Sequence, residues 1–371
     1  MTKALVSESH TKQEAHTRVA SDVELKNVSV RFGDALVVNN VSFSVGRGEF
    51  FSLLGPSGCG KTTTLRVVAG FQKPTEGEVY IEGRSMTDVP AFKRPVNLVF
   101  QNLALFPHLN VYENIAFGLK IIKQPKGEIE RRVKEMLRLV RLPGYEKRKI
   151  RELSGGEKQR VAIVRALVTQ PTVLLLDEPL GPLDLKLREE MVVELKRIKR
   201  EVGTTFIYVT HDQGEALAMS DRIAVMRNGI VLQLGTPLEV YEKPQSDFVA
   251  EFIGRGNLFK GSYEHGTVEV DGLGSILVKT DSQICDGSKV LVCVKPEGTS
   301  IGKRLEGLDN IFDGRIKENY YEGRVTTYKV SMGDNYLLTV LTLGTIVKDV
   351  FGVTEPVQVG WNREDATVLP M

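Results

Sequence analysis

Cysteine is scarce in this chain. The three present, Cys59, Cys285 and Cys293, are too few and too scattered for a disulfide framework or a zinc site, and reduced thiols are the expectation. Long apolar runs are missing too: no stretch approaches the roughly 18 residues that a membrane-spanning helix needs. Residues 1–21 are polar, mixed in charge and lack the apolar region of a signal peptide, so a loosely tied tail is expected there. Neither sign of charge dominates. Forty-nine Lys and Arg against 47 Asp and Glu leave +2, with no basic stripe, which argues against a nucleic-acid partner. No tandem repeat marks a solenoid. What remains is a globular composition, 42% apolar and 26% charged, in 371 residues, enough for two or three domains.

Against that background the segment Gly55-Pro56-Ser57-Gly58-Cys59-Gly60-Lys61-Thr62 carries specific chemistry. The apolar run Phe50 to Leu54 precedes it and Thr63 to Gly70 follows, giving strand, glycine-rich turn and helix. Glycines let successive backbone N–H groups converge on a polyphosphate, and the helix N-terminus adds its positive dipole end. In this pattern Lys61 reaches the β- and γ-phosphates while the Thr62 hydroxyl ligates Mg²⁺. The expectation is nucleoside triphosphate binding.

Other candidates fall at strand ends. Phe32, after the strand pattern Val23–Val30, either stacks on an adenine ring or fills a turn. Gln101 closes the run Val96–Phe100, where α/β sheets place ligands, and could ligate the metal and orient water. Ser154-Gly155-Gly156-Glu157 opens a helix; Ser154 reads as its N-cap, and the glycines expose N–H groups at a second positive helix end. Val173 to Leu176 is a buried-strand pattern delivering Asp177 and Glu178. Asp177 suits the outer coordination sphere of Mg²⁺, and Glu178 suits the base or orienter for a hydrolytic water. Asp184 begins an amphipathic helix through Val202. His211 ends the strand Thr205–Thr210, placing it toward a γ-phosphate; the pattern then passes to a hairpin turned at Asn228-Gly229. Residues from about 102 to 165 read as a helical insert, with Asn110 and Glu113 as a capping pair. Its apolar loop Leu103–Leu109 either docks on a partner or fills the insert's own core. From about residue 257, β-patterned runs alternate with turns, and a small all-β barrel is expected.

In this order, the phosphate loop, Gln101, Leu153–Glu157, Val173–Glu178 and His211 resemble the ATP-binding subunit of ATP-binding cassette (ABC) transporters, over roughly residues 22 to 255. The resemblance implies an α/β P-loop cassette with a helical subdomain, occupying 22–256, and an all-β OB-like regulatory domain over 257–371. It implies ATP and Mg²⁺ as ligands. Contacts to ATP would come from Phe32, from the loop residues Gly55 to Lys61, from Thr62 and Thr63, and from Ser154, Gly155, Gly156 and Asp184 of a second copy. Metal contacts would come from Thr62, Gln101 and Asp177, and catalytic roles would fall to Glu178, His211 and Gln101. One phosphate loop per chain implies a homodimer enclosing two ATPs. The partners implied are transmembrane permease subunits and, indirectly, an extracytoplasmic solute-binding protein, with the chain peripheral on the cytoplasmic membrane face.

The β region, including Lys295-Pro296-Glu297, is similar to the extension of importer ATPases for maltose, polyamines, ferric iron and sulfate. The run Val96–Gln101 and the ending Trp361–Ala366 point to the polyamine and iron branch. The sequence departs from the family pattern at Glu157 (usually Gln), Pro182 (usually small), Lys295 (usually Arg) and Gly214 (usually acidic). Two alternatives are a soluble ABC ATPase acting on DNA or the ribosome, and a chain that is chiefly a regulator through its β domain. The long coiled-coil or zinc insertions of the former are not in the sequence.

Overall fold

The computed structural model describes residues 21–279, 284–333, 335–344 and 350–371; the expected tail lies, but for Ser21, outside them. A long hairpin, β1 (Ser21–Phe32) and β2 (Ala35–Gly46), precedes the short β3 (Phe50–Leu54) and helix α1 (Lys61–Ala69). Strands β4 (Glu76–Ile81), β5 (Arg84–Ser85) and β6 (Val96–Val99) lead to three helices, α2 (Val111–Ile121), α3 (Lys126–Leu139) and α4 (Gly155–Leu167). The chain returns through β7 (Val173–Asp177), α5 (Leu185–Val202), β8 (Thr205–Thr210) and α6 (Gln213–Met219). The hairpin β9 (Arg222–Arg227) and β10 (Ile230–Gly235), then α7 (Pro237–Glu242) and α8 (Asp247–Gly254), complete the region.

A six-stranded sheet, ordered β10-β9-β3-β8-β7-β6, forms the centre, and its strands pair in parallel except at β10. Strands β3, β7 and β8 are buried at every residue, so their sequences run apolar without alternation. The period of two still sorts their side chains. Phe51, Leu53, Val173, Leu175, Ile207 and Val209 pack with α1 and the antiparallel sheet β2-β1-β4-β5. Phe50, Leu174, Leu176, Phe206 and Tyr208 face the opposite layer, which is continuous with the core of the helical insert.

The described residues of 257–370 form ten strands: β11 (Asn257–Glu264), β12 (Thr267–Val270), β13 (Gly274–Leu277), β14 (Lys289–Val294), β15 (Ser300–Gly302), β16 (Asn310–Tyr321), β17 (Val325–Met332), β18 (Tyr336–Leu343), β19 (Pro356–Trp361) and β20 (Ala366–Pro370). They lie in two five-stranded antiparallel sheets around one core that holds Phe259, Tyr328, Phe351 and Trp361. A small cluster of Ala250 with Leu291, Cys293 and Leu369 joins this core to the cassette, beside a Lys295–Glu242 ion pair.

Three expectations need correction. Strand β6 stops at Val99, two residues before Gln101. Helix α6 stands between His211 and the hairpin, where the sequence reading passed directly from one to the other; only seven residues long with Gly214 in its first turn, it has weak intrinsic propensity. In the β domain, β11, β15, β16 and β20 fall outside the β-patterned runs of the sequence at 267–270, 275–278, 290–294, 323–330, 336–341 and 357–361. β16 exposes most of its residues and carries Asp313, Gly314, Arg315, Lys317 and Glu318, so it lacks an apolar face to read.

One buried cation holds the phosphate-loop helix to the rest. The Arg94 guanidinium donates to Val67 O, Val68 O, Met86 O and Val89 O at 2.6–2.9 Å, satisfying carbonyls at the C-terminal end of α1. Arg94→Ala takes a donor from all four and leaves Val68 O and Val89 O without one, while Val67 O keeps the Gly70 N–H and Met86 O the Val89 N–H. We expect it to cost about 3 kcal/mol in urea unfolding; a loss below about 1 kcal/mol would show that this anchoring is not needed.

Candidate active site

Parallel pairing puts the carboxyl ends of β3, β6, β7 and β8 along one edge, and each delivers a candidate residue there. After β3 the phosphate loop turns through Gly58 at φ 80° and Gly60 at φ 101°, conformations that side chains strain to adopt. Space is restrictive as well. A Cβ on Gly60 would meet Val37 O at 2.7 Å, and one on Gly55 would overlap Met226 O. The loop therefore leans on β2 and the β9–β10 turn, where the Gly229 N–H donates to Cys59 O at 3.1 Å. Ser57 and Gly58 are exposed at its tip, whereas Cys59 is buried, and burial pushes its thiol above the usual range. The buried Lys61 ammonium donates to Gly55 O and Pro56 O at 2.8 and 2.9 Å, across the mouth of the loop.

Thr62 Oγ1 donates to Asp177 Oδ1 at 2.8 Å, joining the start of α1 to the end of β7. Burial raises the Asp177 carboxyl above its ordinary range, opposed by this hydrogen bond and by the Arg66 charge. Next in the chain, Glu178 has φ 43° and its N–H donates to Val209 O at 3.0 Å, which turns its side chain toward the end of β8. There His211 Nδ1 lies 3.2 Å from Glu178 Oε2. The structure thus brings together the phosphate loop, Asp177, Glu178 and His211. A carboxylate held against an imidazole beside a phosphate cradle has the parts for accepting a proton from water and sensing a phosphate.

Other candidates stand at the margins of this group. Phe32 is half exposed and, with Thr63, Arg66, Phe71, Gln72 and Phe100, borders a cleft of about 320 Å³ beside α1. Phe71 and Phe100, 5.9 Å apart, were not foreseen, because nothing in their spacing distinguishes them from core aromatics. Gln101 is exposed next to Gly181, where a Cβ would lie 3.7 Å from its Nε2, and it makes no hydrogen bond to Thr62 or Asp177 among the described residues. Ser154 and Asp184 both cap helices: Ser154 Oγ accepts from the Glu157 N–H at 3.2 Å, and Asp184 Oδ1 from the Leu187 N–H at 3.0 Å. Glu157 completes a capping box by accepting the Ser154 N–H, a task Glu performs as well as Gln, and that bond holds its carboxyl below the usual range. Pro182 sits in a turn whose hydrogen bonds come from the Gly181 and Leu183 N–H groups, so its missing donor is not needed.

A family model described as ABC transporter matches residues 38–181, and one described as TOBE domain matches 292–369. The chain is 45% identical to a spermidine/putrescine import ATP-binding protein of Protochlamydia amoebophila, over 94% of this chain and 96% of that one. The chain belongs to the ATP-binding subunits of ABC transporters. Its similarity to the protein of the same description from Rubrobacter xylanophilus is 49%, over 94% and 93% of the two chains. Among solved structures, cbiO1 of Clostridium perfringens, part of a cbiONQ ABC transporter complex, superposes with a TM-score of 0.57 at 29% identity, covering 60% of this chain and 92% of that one. A dimeric ATP-binding cassette in a post-hydrolysis state, bound to ADP and Pi, superposes with a TM-score of 0.51 at 35% identity, over 58% and 98%. This ABC subunit is accordingly an ATPase with an α/β cassette and a C-terminal all-β, OB-like domain.

The ammonium at the mouth of the loop is the cassette's one buried lysine. Lys61→Ala should weaken ATP binding about tenfold or more, because a charge-assisted contact to the phosphates is lost. Titration with a fluorescent ATP analogue measures this. Unchanged affinity would sink the phosphate-loop assignment.

Proposed function

We propose that this ATPase energises the import of a polyamine through an ABC transporter, working as a homodimer on the cytoplasmic face of permease subunits. The observation that carries the solute is the end-to-end similarity to spermidine/putrescine import ATP-binding proteins at 45–49% identity, which includes the β domain. Ferric iron, the other solute suggested by the sequence, has no such support among these relatives. Nor do they favour action on DNA or the ribosome. Among the described residues no helix is long and apolar enough to cross a membrane, and in this reading the transport path is that of the permease subunits.

In this reading the backbone N–H groups of Gly55 to Gly60 and the N-terminus of α1 receive the phosphates, with Lys61 turning from its carbonyl partners to the β- and γ-phosphates. Phe32 stacks on the adenine at the rim of the aromatic cleft. Thr62 and Asp177 fit Mg²⁺, since a hydroxyl and a carboxylate 2.8 Å apart are oxygen donors suited to a hard cation, and Gln101 would join them from the turn after β6. Bound there, the ion would neutralise charge on the β- and γ-phosphates. Glu178 takes a proton from the attacking water, and His211 contacts the γ-phosphate while its Nδ1 stays on Glu178. Ser154 and Gly155, exposed at the N-terminus of α4, and the buried Gly156 behind them offer N–H groups to the γ-phosphate held by the second copy, and Asp184 lies on the loop crossing between the two sites. That a similar cassette is a dimer supports the pairing of two copies.

The docking face is the insert. Leu103 and Leu105 pack on its core, and Arg165 fixes their loop by donating to Leu103 O and Ala104 O at 2.7 and 2.6 Å. Phe117, Ile121 and Ile122 remain exposed on α2 and its C-cap beside Phe106, an apolar surface suited to a permease segment.

Cells lacking this chain should lose energy-dependent uptake of labelled spermidine or putrescine. The intact chain should restore it, and Glu178→Gln should fail to, with ATP hydrolysis reduced about a hundredfold or more. Normal polyamine uptake in the deleted strain, with ferric-iron uptake lost, would overturn the solute assignment.

A further inference from the structure

Arg188, in the first turn of α5, reaches three other places. Its Nη2 donates to Leu183 O at 3.2 Å, on the loop that leaves Glu178. Its Nη1 donates to Asp212 Oδ2 at 3.4 Å, in the residue after His211. Its Nε, buried and without a hydrogen bond, faces Glu215 Oε1 at 3.6 Å. The two carboxylates are themselves fixed. Glu215 is buried and accepts from Tyr208 Oη and Thr210 Oγ1, each at 2.6 Å. Asp212 Oδ1 accepts the Glu215 N–H at 3.0 Å, and the Asp212 N–H donates to Thr210 Oγ1 at 2.9 Å. The end of β8 and the start of α6 are thus one rigid piece.

His211 lies on that piece but is loosely held, with its side chain 55% exposed and Glu178 as its ion-pair partner. On the other side, the turn from Glu178 closes through the Gly181 N–H on Glu178 O at 3.3 Å and the Leu183 N–H on Leu180 O at 3.1 Å. Contacts therefore run in a ring, from Glu178 through Leu183, Arg188 and Asp212 to His211 and back to Glu178. Among the described residues, Arg188 is the one side chain with hydrogen bonds to both the loop and the helix cap. The same turn abuts the Ser154 helix, since a Cβ on Gly155 would lie 3.2 Å from Leu183 Cδ2.

We propose that Arg188 is a positioning residue for ATP hydrolysis, setting the separation between the Leu183–Asp184 turn and the segment that carries His211. Its contacts are to Leu183, Asp212 and Glu215, and it acts through His211. The inference rests on reading Glu178 and His211 as the hydrolytic pair. A guanidinium suits the task because its planar fork engages a carbonyl and a carboxylate at once, which an ammonium cannot do in one geometry. The Arg188–Asp212 pair is partly exposed and adds little to fold stability, and the buried Glu215 keeps its bonds from Tyr208 and Thr210, so loss of the side chain should leave a folded protein.

The test is steady-state ATP hydrolysis by the full chain carrying Arg188→Ala, Arg188→Lys, His211→Ala, or Arg188→Ala with His211→Ala. Arg188→Ala should lower kcat about tenfold, with KM and the affinity for Mg-free ATP changed less than about twofold. Arg188→Lys should recover part of the loss. In the His211→Ala background, Arg188→Ala should have no further effect, because a residue acting through another is silent once that one is gone. Should Arg188→Ala not fold, Asp212→Asn keeps the cap of α6 but removes the charge, and should show the same loss of kcat at constant affinity. Unchanged kcat, additive losses with His211→Ala, or a parallel fall in ATP affinity would each overturn the proposal. Full turnover in His211→Ala alone would overturn the hydrolytic assignment and this inference with it.

Discussion

The parallel register of β3, β8 and β7 is the constraint on which the site depends. These strands are buried on both faces, and the side-by-side pairing of Leu54 with Thr210 and of Asp177 with Val209 brings their carboxyl ends level. A slip of one residue would send Phe206 and Tyr208 into the layer that holds Ile207 and Val209. Register and catalytic geometry are therefore fixed by the same apolar contacts. Charged groups at the strand ends need only short loops to meet, as the 3.2 Å approach of His211 to Glu178 illustrates.

The phosphate loop adds a second, steric constraint. Its glycines are set by backbone that presses from β2 and from the β9–β10 turn, as well as by the ligand they would cradle. That turn, Asn228-Gly229, has positive φ at both residues, as a two-residue hairpin requires. A hairpin turn far along the sequence thus supports the nucleotide site, and Arg94 does the same for α1 from beneath.

Much of this was legible in the sequence because local chemistry and tertiary role coincide. The Asn110–Glu113 and Ser154–Glu157 capping boxes announce helix starts that the structure realises. Asp177 and Glu178 are readable because four aliphatics must end in something polar at a sheet edge. The Asp212–Glu215 cap of α6 was equally present as a signal but was masked by Gly214. Other features are not local at all. Arg188 reads as one more charge on an amphipathic helix until the fold brings Leu183, Asp212 and Glu215 around it. Phe71 and Phe100 come to line one cleft with Phe32 through the fold, not through their spacing in the chain. Lys295, a departure from its family's usual Arg, is explained by the ion pair with Glu242 and by its position over the Tyr241 ring.

The central claim is that two chains share each ATP site, with the Ser154 end of α4 serving the nucleotide held by the other chain. Analytical ultracentrifugation of full-length Glu178→Gln, with and without Mg-free ATP, tests it most directly. With the base removed and the cradle intact, ATP should shift the chain to a stable dimer. Adding Ser154→Arg, which places a bulky cation at that helix end, should abolish the shift while leaving ATP affinity intact. An equal ATP-driven dimer in the double variant would contradict the account.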